Sequence, residues 1–311
     1  MVLQAREGLL TTSVSFPRVL VATAVPAERD AVARAFPATP AHEVRLPAAT
    51  LHRIAAPATN EPRERQDERE RPDRRERQEE RERPDRQEQL EQLDRQERQG
   101  RQDRCEPQDV GGRFDLLAAG VGPALAAAST AAALTAAALD GAPYDLVVSA
   151  GIAGGFLPDA PRGSLVVADE ITAADLGAET GEGFLPVTEL GFGTVTHRPP
   201  EPLVRAVTAA TGAVPGTVLT VSTVTGTAAR AAALRGRHPR ALAEAMEGFG
   251  VAEAAAAHHV PVLELRAVSN AVGPRDRAAW RIGEALAALT EGFGKLAPAL
   301  ESWNAHDLAE P

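Results

Sequence analysis

Short apolar runs rich in β-branched residues recur along the chain, and most are followed by a turn and a stretch of helical spacing. Val19-Leu20-Val21-Ala22-Thr23-Ala24 predicts a strand. Pro26 then suits a first helical turn, where its missing N–H has no partner to lose, and Glu28 to Phe36 carries helical spacing. Phe114 to Ala119 predicts a second strand. Gly120-Val121-Gly122-Pro123 turns it into an Ala-rich helix from Ala124 to Leu139. Leu146-Val147-Val148-Ser149 is a further strand, ending in Ala150-Gly151-Ile152-Ala153-Gly154-Gly155, whose glycines allow close backbone approach. Leu165 to Ala168 leads to Asp169 and Glu170. Residues 175–200 are rich in Gly and Pro and read as one long loop of the kind that lids a site. Val218 to Val221 ends in Ser222-Thr223-Val224-Thr225-Gly226-Thr227.

Ala245-Met246-Glu247-Gly248-Phe249-Gly250-Val251 is the centre of the pattern, because it places a carboxylate at a turn between an apolar segment and a helix from Val251 to His259. Val262 to Val268 follows as a strand and delivers Ser269 and Asn270. A closing helix from about Arg277 to Leu296 takes Asp276 as its N-cap. Strands alternating with helices predict an α/β fold whose parallel strands present their carboxyl ends side by side, which puts Glu247 and Asn270 on one rim. Read alone, Glu247 is equally a helix-start acid favoured by the dipole, and Glu28 an ordinary first-turn acid.

Composition changes abruptly between residues 60 and 109, where Glu, Arg, Gln and Asp dominate and Leu90, Leu93 and Cys105 are the apolar side chains. Such a segment cannot bury a core, and Pro62, Pro72, Pro84 and Pro107 interrupt any helix that its Glu–Arg pairs would support. We therefore expect a loose leader at residues 1–16 and one domain over 17–311, interrupted by a charged insertion at 60–109.

The formal charge of −10 over 311 residues argues against a nucleic-acid partner. The single cysteine cannot form an internal disulfide. Neither the start of the chain nor the Ala-rich run is apolar enough for a signal peptide or a membrane span, so a cytoplasmic protein is expected. Gly120-Val121-Gly122 lacks the rest of a dinucleotide fingerprint, and a triphosphate-binding GxxxxGK[ST] loop is missing. No cofactor is expected. His258 and His259 are adjacent on a helix and diverge, which does not make a metal pair.

Six pieces in order resemble the purine nucleoside phosphorylase and hydrolase superfamily, and within it the nucleosidases. They are Ala24-Val25-Pro26-Ala27-Glu28, Ala119 to Gly122, Ser149 to Gly155, Leu165 to Glu170, Ala245 to Gly248, and Arg266 to Asn270. Met246 to Gly250 and Ser269 to Asp276 are similar to a branch that releases hypoxanthine. The resemblance implies a three-layer α/β/α sandwich around a mixed, mostly parallel sheet, and a homo-oligomer acting on a small nucleoside with water.

It also implies roles. Breaking an N-glycosidic bond builds positive charge on the ribose and negative charge on the departing base. Glu247 would hold the ribose hydroxyls, with Met246 against the sugar, and Glu28 would activate water. Asn270 would stabilise the leaving purine, and Ile152, Ala153, Gly154 and Thr225 would line the substrate. Adenine-releasing nucleosidases carry Asp where this chain has Asn270; an amide can accept from N7–H and donate to a 6-oxo group, which favours hypoxanthine or guanine. The phosphorylases open with a Gly-Asp-Pro turn and a phosphate-binding Arg, and Thr23 to Glu28 offers neither. The branch's substrate carries a carboxylate on its 5′ arm, for which His197 and Arg198 are candidates; a solvated Arg is the plainer reading. Phe156, Phe184 and Phe192 are either stacking groups or core. Two further readings remain open at this stage: catalysis on another 6-oxopurine nucleoside, with water or phosphate, and non-catalytic nucleoside binding.

Overall fold

The fold grows outward from β1 (Val19–Thr23), whose five residues are all buried. It runs parallel between β4 (Gly112–Ala118) and β5 (Leu146–Gly155). β12 (Val262–Ala271) lies parallel to β5 on the far side, and β10 (Val214–Thr220) pairs parallel with both β6 (Leu165–Ala173) and β11 (Ala241–Ala245). β6 joins β12 antiparallel, and the edge hairpin β2 (Ala41–Arg45) and β3 (Thr50–Ala55) joins β4 antiparallel. These relations come from a computed structural model, which describes residues 17–36, 41–46, 49–55 and 112–301. The expected leader and the charged insertion lie outside the described residues.

Helices cover both faces. α2 (Pro123–Leu139) packs with α5 (Gly248–Ala257) on one side, burying Ala126, Ala133, Leu134, Val251 and Ala255 against Leu20, Val147 and Val268. On the other side α1 (Pro26–Ala33), α3 (Glu201–Thr211) and α6 (Ile282–Glu301) bring Val32, Leu203, Leu289 and Phe293 onto Val21, Val148 and Leu265. α4 (Ala228–Arg237) seals a smaller cluster of Leu219, Val221 and Leu234. Alternate strand residues supply the two cores, as the period of two requires. The result is the mixed α/β/α sandwich expected from the sequence.

Several elements differ from expectation in extent. β5 does not end at Ser149 but continues through the glycines to Gly155, where its end meets β11 antiparallel, with Ala243 opposite Gly155 and Glu244 opposite Gly154. The expected long loop contains a hairpin, β7 (Gly177–Thr180) with β8 (Gly183–Pro186), and a short β9 (Thr196–His197) paired to β6. The closing helix begins later than expected. Asp276 accepts a bond from Ala278 N–H at 3.1 Å and caps a single 3-10 turn, Arg277–Ala279, before α6 starts at Ile282.

One buried ionic cluster lies toward the amino-terminal ends of the strands. Asp115 of β4 accepts from Arg53 at 2.8 Å, Arg18 at 2.8 Å and the Tyr144 hydroxyl at 2.5 Å. Burial opposes its ionisation, but those donors outweigh burial and hold its pKa below the usual carboxylate range. All its partners are structural, in contrast to the cluster at the other end.

Candidate active site

At the carboxyl ends of the strands a second buried cluster forms around Arg266, which is 1% exposed in the middle of β12. Its Nε donates to Glu264 at 2.8 Å, one Nη to Ser149 Oγ at 3.1 Å, and the other Nη to Glu247 at 3.4 Å. The planar fork suits this task because one guanidinium serves three acceptors in fixed directions. Glu264 is fully buried and its Oε2 has no hydrogen-bond partner among the described residues. Burial pushes its pKa up, and Arg266 opposes that shift.

Glu28 reaches the same place from α1. Its Oε2 accepts from Ala24 N–H at 2.9 Å and Val25 N–H at 3.3 Å, so the carboxylate reaches back and caps its own helix. Its Oε1 leaves the helix and accepts from Ile152 N–H of β5 at 2.8 Å. The helix-start reading is realised on one oxygen, and the other ties the carboxylate to the glycine-rich end of β5. Burial is the largest influence on Glu28 and raises its pKa; Arg266 and the Ile152 N–H pull it back, and Glu247 adds to the rise. A carboxylate set in this way retains basicity that an exposed one lacks.

Glu247 closes the site at the start of α5. Its Oε1 accepts from Gly122 N–H at 3.2 Å and its Oε2 from Met246 N–H at 3.3 Å, beside the longer contact to Arg266. Met246 is half-buried next to it. Glu247 thus touches the guanidinium and Glu28 lies within its electrostatic reach, each with acceptor capacity left over for hydroxyl groups.

The strand between them requires glycine. A Cβ on Gly151 would lie 2.6 Å from Glu28 Oε1 and 2.8 Å from an Arg266 Nη, and one on Gly154 would lie 3.3 Å from Asn270 Nδ2. The glycines expected to admit a ligand therefore first admit the site's own side chains. Gly151→Ala should displace Glu28 and Arg266 together. The expected result is a loss of about 10²-fold in turnover at little cost in folded secondary structure, read from kcat/KM alongside circular dichroism.

Asn270 stands at a register shift in β12, half-buried, opposite Gly154. Ser269 Oγ lies 2.8 Å from its Oδ1 and the Nδ2 donates to Ala271 O at 3.0 Å, which fixes which way the amide faces. One N–H and one oxygen lone pair remain for a ligand. The Ala153 carbonyl lies within reach of the same Ser269 hydroxyl, at 3.2 Å. Thr225 belongs to this corner too, but through a partner: its N–H donates to Glu244 at 2.8 Å and its hydroxyl to the other Glu244 oxygen.

The structure therefore brings together Glu28, Met246, Glu247, Asn270 and Ile152 to Gly154, with Thr225 behind Glu244. The two candidates for a 5′ carboxylate are already occupied. His197 pairs with Glu253 at 2.7 Å with its ring 5.3 Å from that of Phe249, and exposed Arg198 pairs with Glu170 at 2.7 Å. Phe156 is core and Phe192 exposed, while Arg237 lies 4.4 Å over the ring of Phe184. Sequence reasoning assigned no role to Arg266, Glu264 or Glu244. A signal was present in each case, namely a charged residue inside an otherwise apolar strand. Among the described residues no group of three or more His, Cys, Asp and Glu side chains could hold a metal, and no helix is long and apolar enough to cross a membrane.

Comparison with known proteins identifies the family. The profile of the phosphorylase superfamily matches residues 110–298. A futalosine hydrolase of Streptomyces coelicolor is 66% identical over 289 residues, covering 93% of this chain and 99% of the relative. A futalosine hydrolase of Acidothermus cellulolyticus is 49% identical over 190 residues, 60% of this chain and 75% of the relative. Among solved structures, the native futalosine hydrolase of Helicobacter pylori superposes with a TM-score of 0.60 at 14% identity, covering 93% of this chain and 98% of that one. The chain belongs to the phosphorylase superfamily and, within it, to the futalosine hydrolase family.

Proposed function

We propose that this protein hydrolyses the N-glycosidic bond of futalosine, releasing hypoxanthine and dehypoxanthine futalosine, a step of menaquinone biosynthesis. The observation that carries the reading is the grouping of two carboxylates around Arg266, Glu247 in contact with it and Glu28 within its electrostatic reach, with an oriented Asn270 amide beside Gly154 on the same strand ends. Kinship with two futalosine hydrolases supports the choice of nucleoside.

In the reaction the C1′–N9 bond breaks and a water oxygen adds to C1′. Glu247 takes the ribose hydroxyls, and its negative charge favours the cationic sugar of the transition state; such charge-assisted bonds contribute about 1.5–3 kcal/mol each. Glu28 accepts the proton of the attacking water. Arg266 keeps the two neighbouring carboxylates compatible in one buried site. The base departs with its bonding pair on N9 and takes a proton at N7 from solvent water, balancing the proton that Glu28 removes from the attacking water; Asn270 accepts from that N7–H through its oxygen and offers its free N–H to O6. Glu28 also repels an anionic nucleophile, which favours water over phosphate. We assign the protein to the cytoplasm as a homo-oligomer, in keeping with its family.

Base release from futalosine, inosine and methylthioadenosine, with and without phosphate, tests the reading. Hypoxanthine from futalosine, independent of phosphate, is the expected result. Adenine release from methylthioadenosine, or strict phosphate dependence, would remove it.

A further inference from the structure

Glu264 is 0% exposed and lies in β12 two residues before Arg266, so both side chains project from the same face of the strand. Its register partner on β5 is Ser149, and that of Arg266 is Gly151. Glu264 therefore sits about 7 Å further from the strand ends than the guanidinium, behind it and out of reach of a nucleoside. The start of α5 closes the space beside it, where a Cβ on Gly248 would overlap both carboxylate oxygens. Its Oε1 accepts from Arg266 Nε at 2.8 Å, while its Oε2 accepts no hydrogen bond among the described residues. A buried carboxylate oxygen left bare is costly, and holding Nε does not require one, because an amide oxygen in the same place would also accept. What an amide lacks is the charge.

Among the described residues, three carboxylates are grouped around this guanidinium. Glu264 pairs with it at 2.8 Å, Glu247 touches it at 3.4 Å, and Glu28 lies within its electrostatic reach. A guanidinium near a carboxylate favours the ionised form and weakens it as a base, and Arg266 does pull the Glu28 pKa down. A negative charge on the far side of the guanidinium reduces that pull. Glu264 stands there, and the burial of both partners keeps salt from screening them.

We propose that Glu264 is a positioning residue that acts through Arg266: its charge offsets that of the guanidinium, so that Arg266 holds Glu247 and Ser149 while Glu28 remains an effective base. The inference rests on the assignment of Glu28 to water activation made above.

The pH dependence of kcat/KM on futalosine tests it in wild type, Glu264→Gln and Ser149→Ala. Glutamine keeps the volume and an acceptor for Nε and removes the charge. The expected result in Glu264→Gln is an acid limb displaced to lower pH by about one unit, with a plateau about 10-fold lower because the base is weaker. Ser149→Ala removes another acceptor of the same arginine without changing the charge, and should lower the plateau while leaving the limb in place. The infrared spectrum of the wild type at the plateau pH should show no band of a protonated buried carboxyl, a measurement that does not depend on a variant folding. An unmoved limb in Glu264→Gln, an equal displacement in Ser149→Ala, or a protonated buried carboxyl on the wild-type plateau would overturn the role of Glu264 alone. A wild type that releases no hypoxanthine from futalosine, or an acid limb that persists in Glu28→Gln, would overturn the functional reading, and this inference with it.

Discussion

Glu28→Gln should lower kcat/KM for base release by about 10²- to 10⁴-fold, the usual contribution of a positioned general base. Glutamine keeps an acceptor for Ile152 N–H or for the Ala24 and Val25 amides, so the helix start is largely retained while the proton acceptor is gone. Ordinary substrate affinity with collapsed turnover distinguishes this role from ribose binding, whose loss raises KM as well. The wild-type pH profile carries the same information. Burial raises the Glu28 pKa from 4.5, so kcat/KM should fall toward low pH with an apparent pKa above that value. The limb belongs to Glu28, and in Glu28→Gln it should vanish from the residual rate. The sign for stability is opposite. The folded chain binds this proton more tightly than the unfolded chain, so the Glu28 contribution is full below 4.5 and is lost as pH rises through the folded value. The pH range in which the base is active is the one in which its ionisation costs stability.

Arg266→Met should destabilise the protein by about 3–5 kcal/mol, the cost of stranding buried carboxylates. For a domain of this size that corresponds to a fall in Tm on the order of 10 °C. Glu264 is 0% exposed and, among the described residues, has one oxygen without a partner and Arg266 as its one cationic neighbour, so removing the arginine leaves it neutralised or unpaired. Glu247 loses a contact as well, so activity should fall with stability. The double variant Glu264→Leu with Arg266→Met should recover much of the stability and none of the turnover, because it removes the charge at both ends but leaves Glu28 and Glu247 facing each other without a cation. A double variant as unstable as Arg266→Met would show that the arginine acts through packing and not through charge.

The alternation of strand and helix was legible because the central strands are buried on both faces and read as continuous apolar runs. Val19 to Thr23 and Val262 to Val268 left little room for another assignment. The edge hairpin escaped for the converse reason. Ala41-His42-Glu43-Val44-Arg45 is exposed along most of its length, and pairing to a neighbouring strand, not its own pattern, makes it β. α3 and α4 are surface helices, started by Pro202 and Glu201 and by the Thr227 cap, and they are held by Leu203, Val204, Val207 and Leu234 meeting cores built by distant strands.

The site divides in the same way. Glu28 and Glu247 stand at strand-to-helix boundaries and Asn270 just before the end of β12, where a polar residue after an apolar run is conspicuous. Arg266, Glu264 and Glu244 stand inside strands, where spacing says which side a residue faces and nothing of what faces it. Their meaning depends on contacts between strands far apart in sequence, such as Arg266 with Ser149. The continuation of β5 through its glycines is of the same kind. Gly151 and Gly154 read as a turn locally, yet each is a strand position whose missing Cβ makes room for Glu28 and Arg266, or for Asn270.

The central claim is that Glu28 directs water to C1′ of a 6-oxopurine nucleoside in this site. The most direct measurement is turnover of futalosine in ¹⁸O-labelled water without phosphate, with mass analysis of both products. The account predicts unlabelled hypoxanthine and a sugar product carrying one ¹⁸O, formed by the wild type and suppressed in Glu28→Gln. An unlabelled sugar product, release that requires phosphate, or an undiminished rate in Glu28→Gln would contradict it.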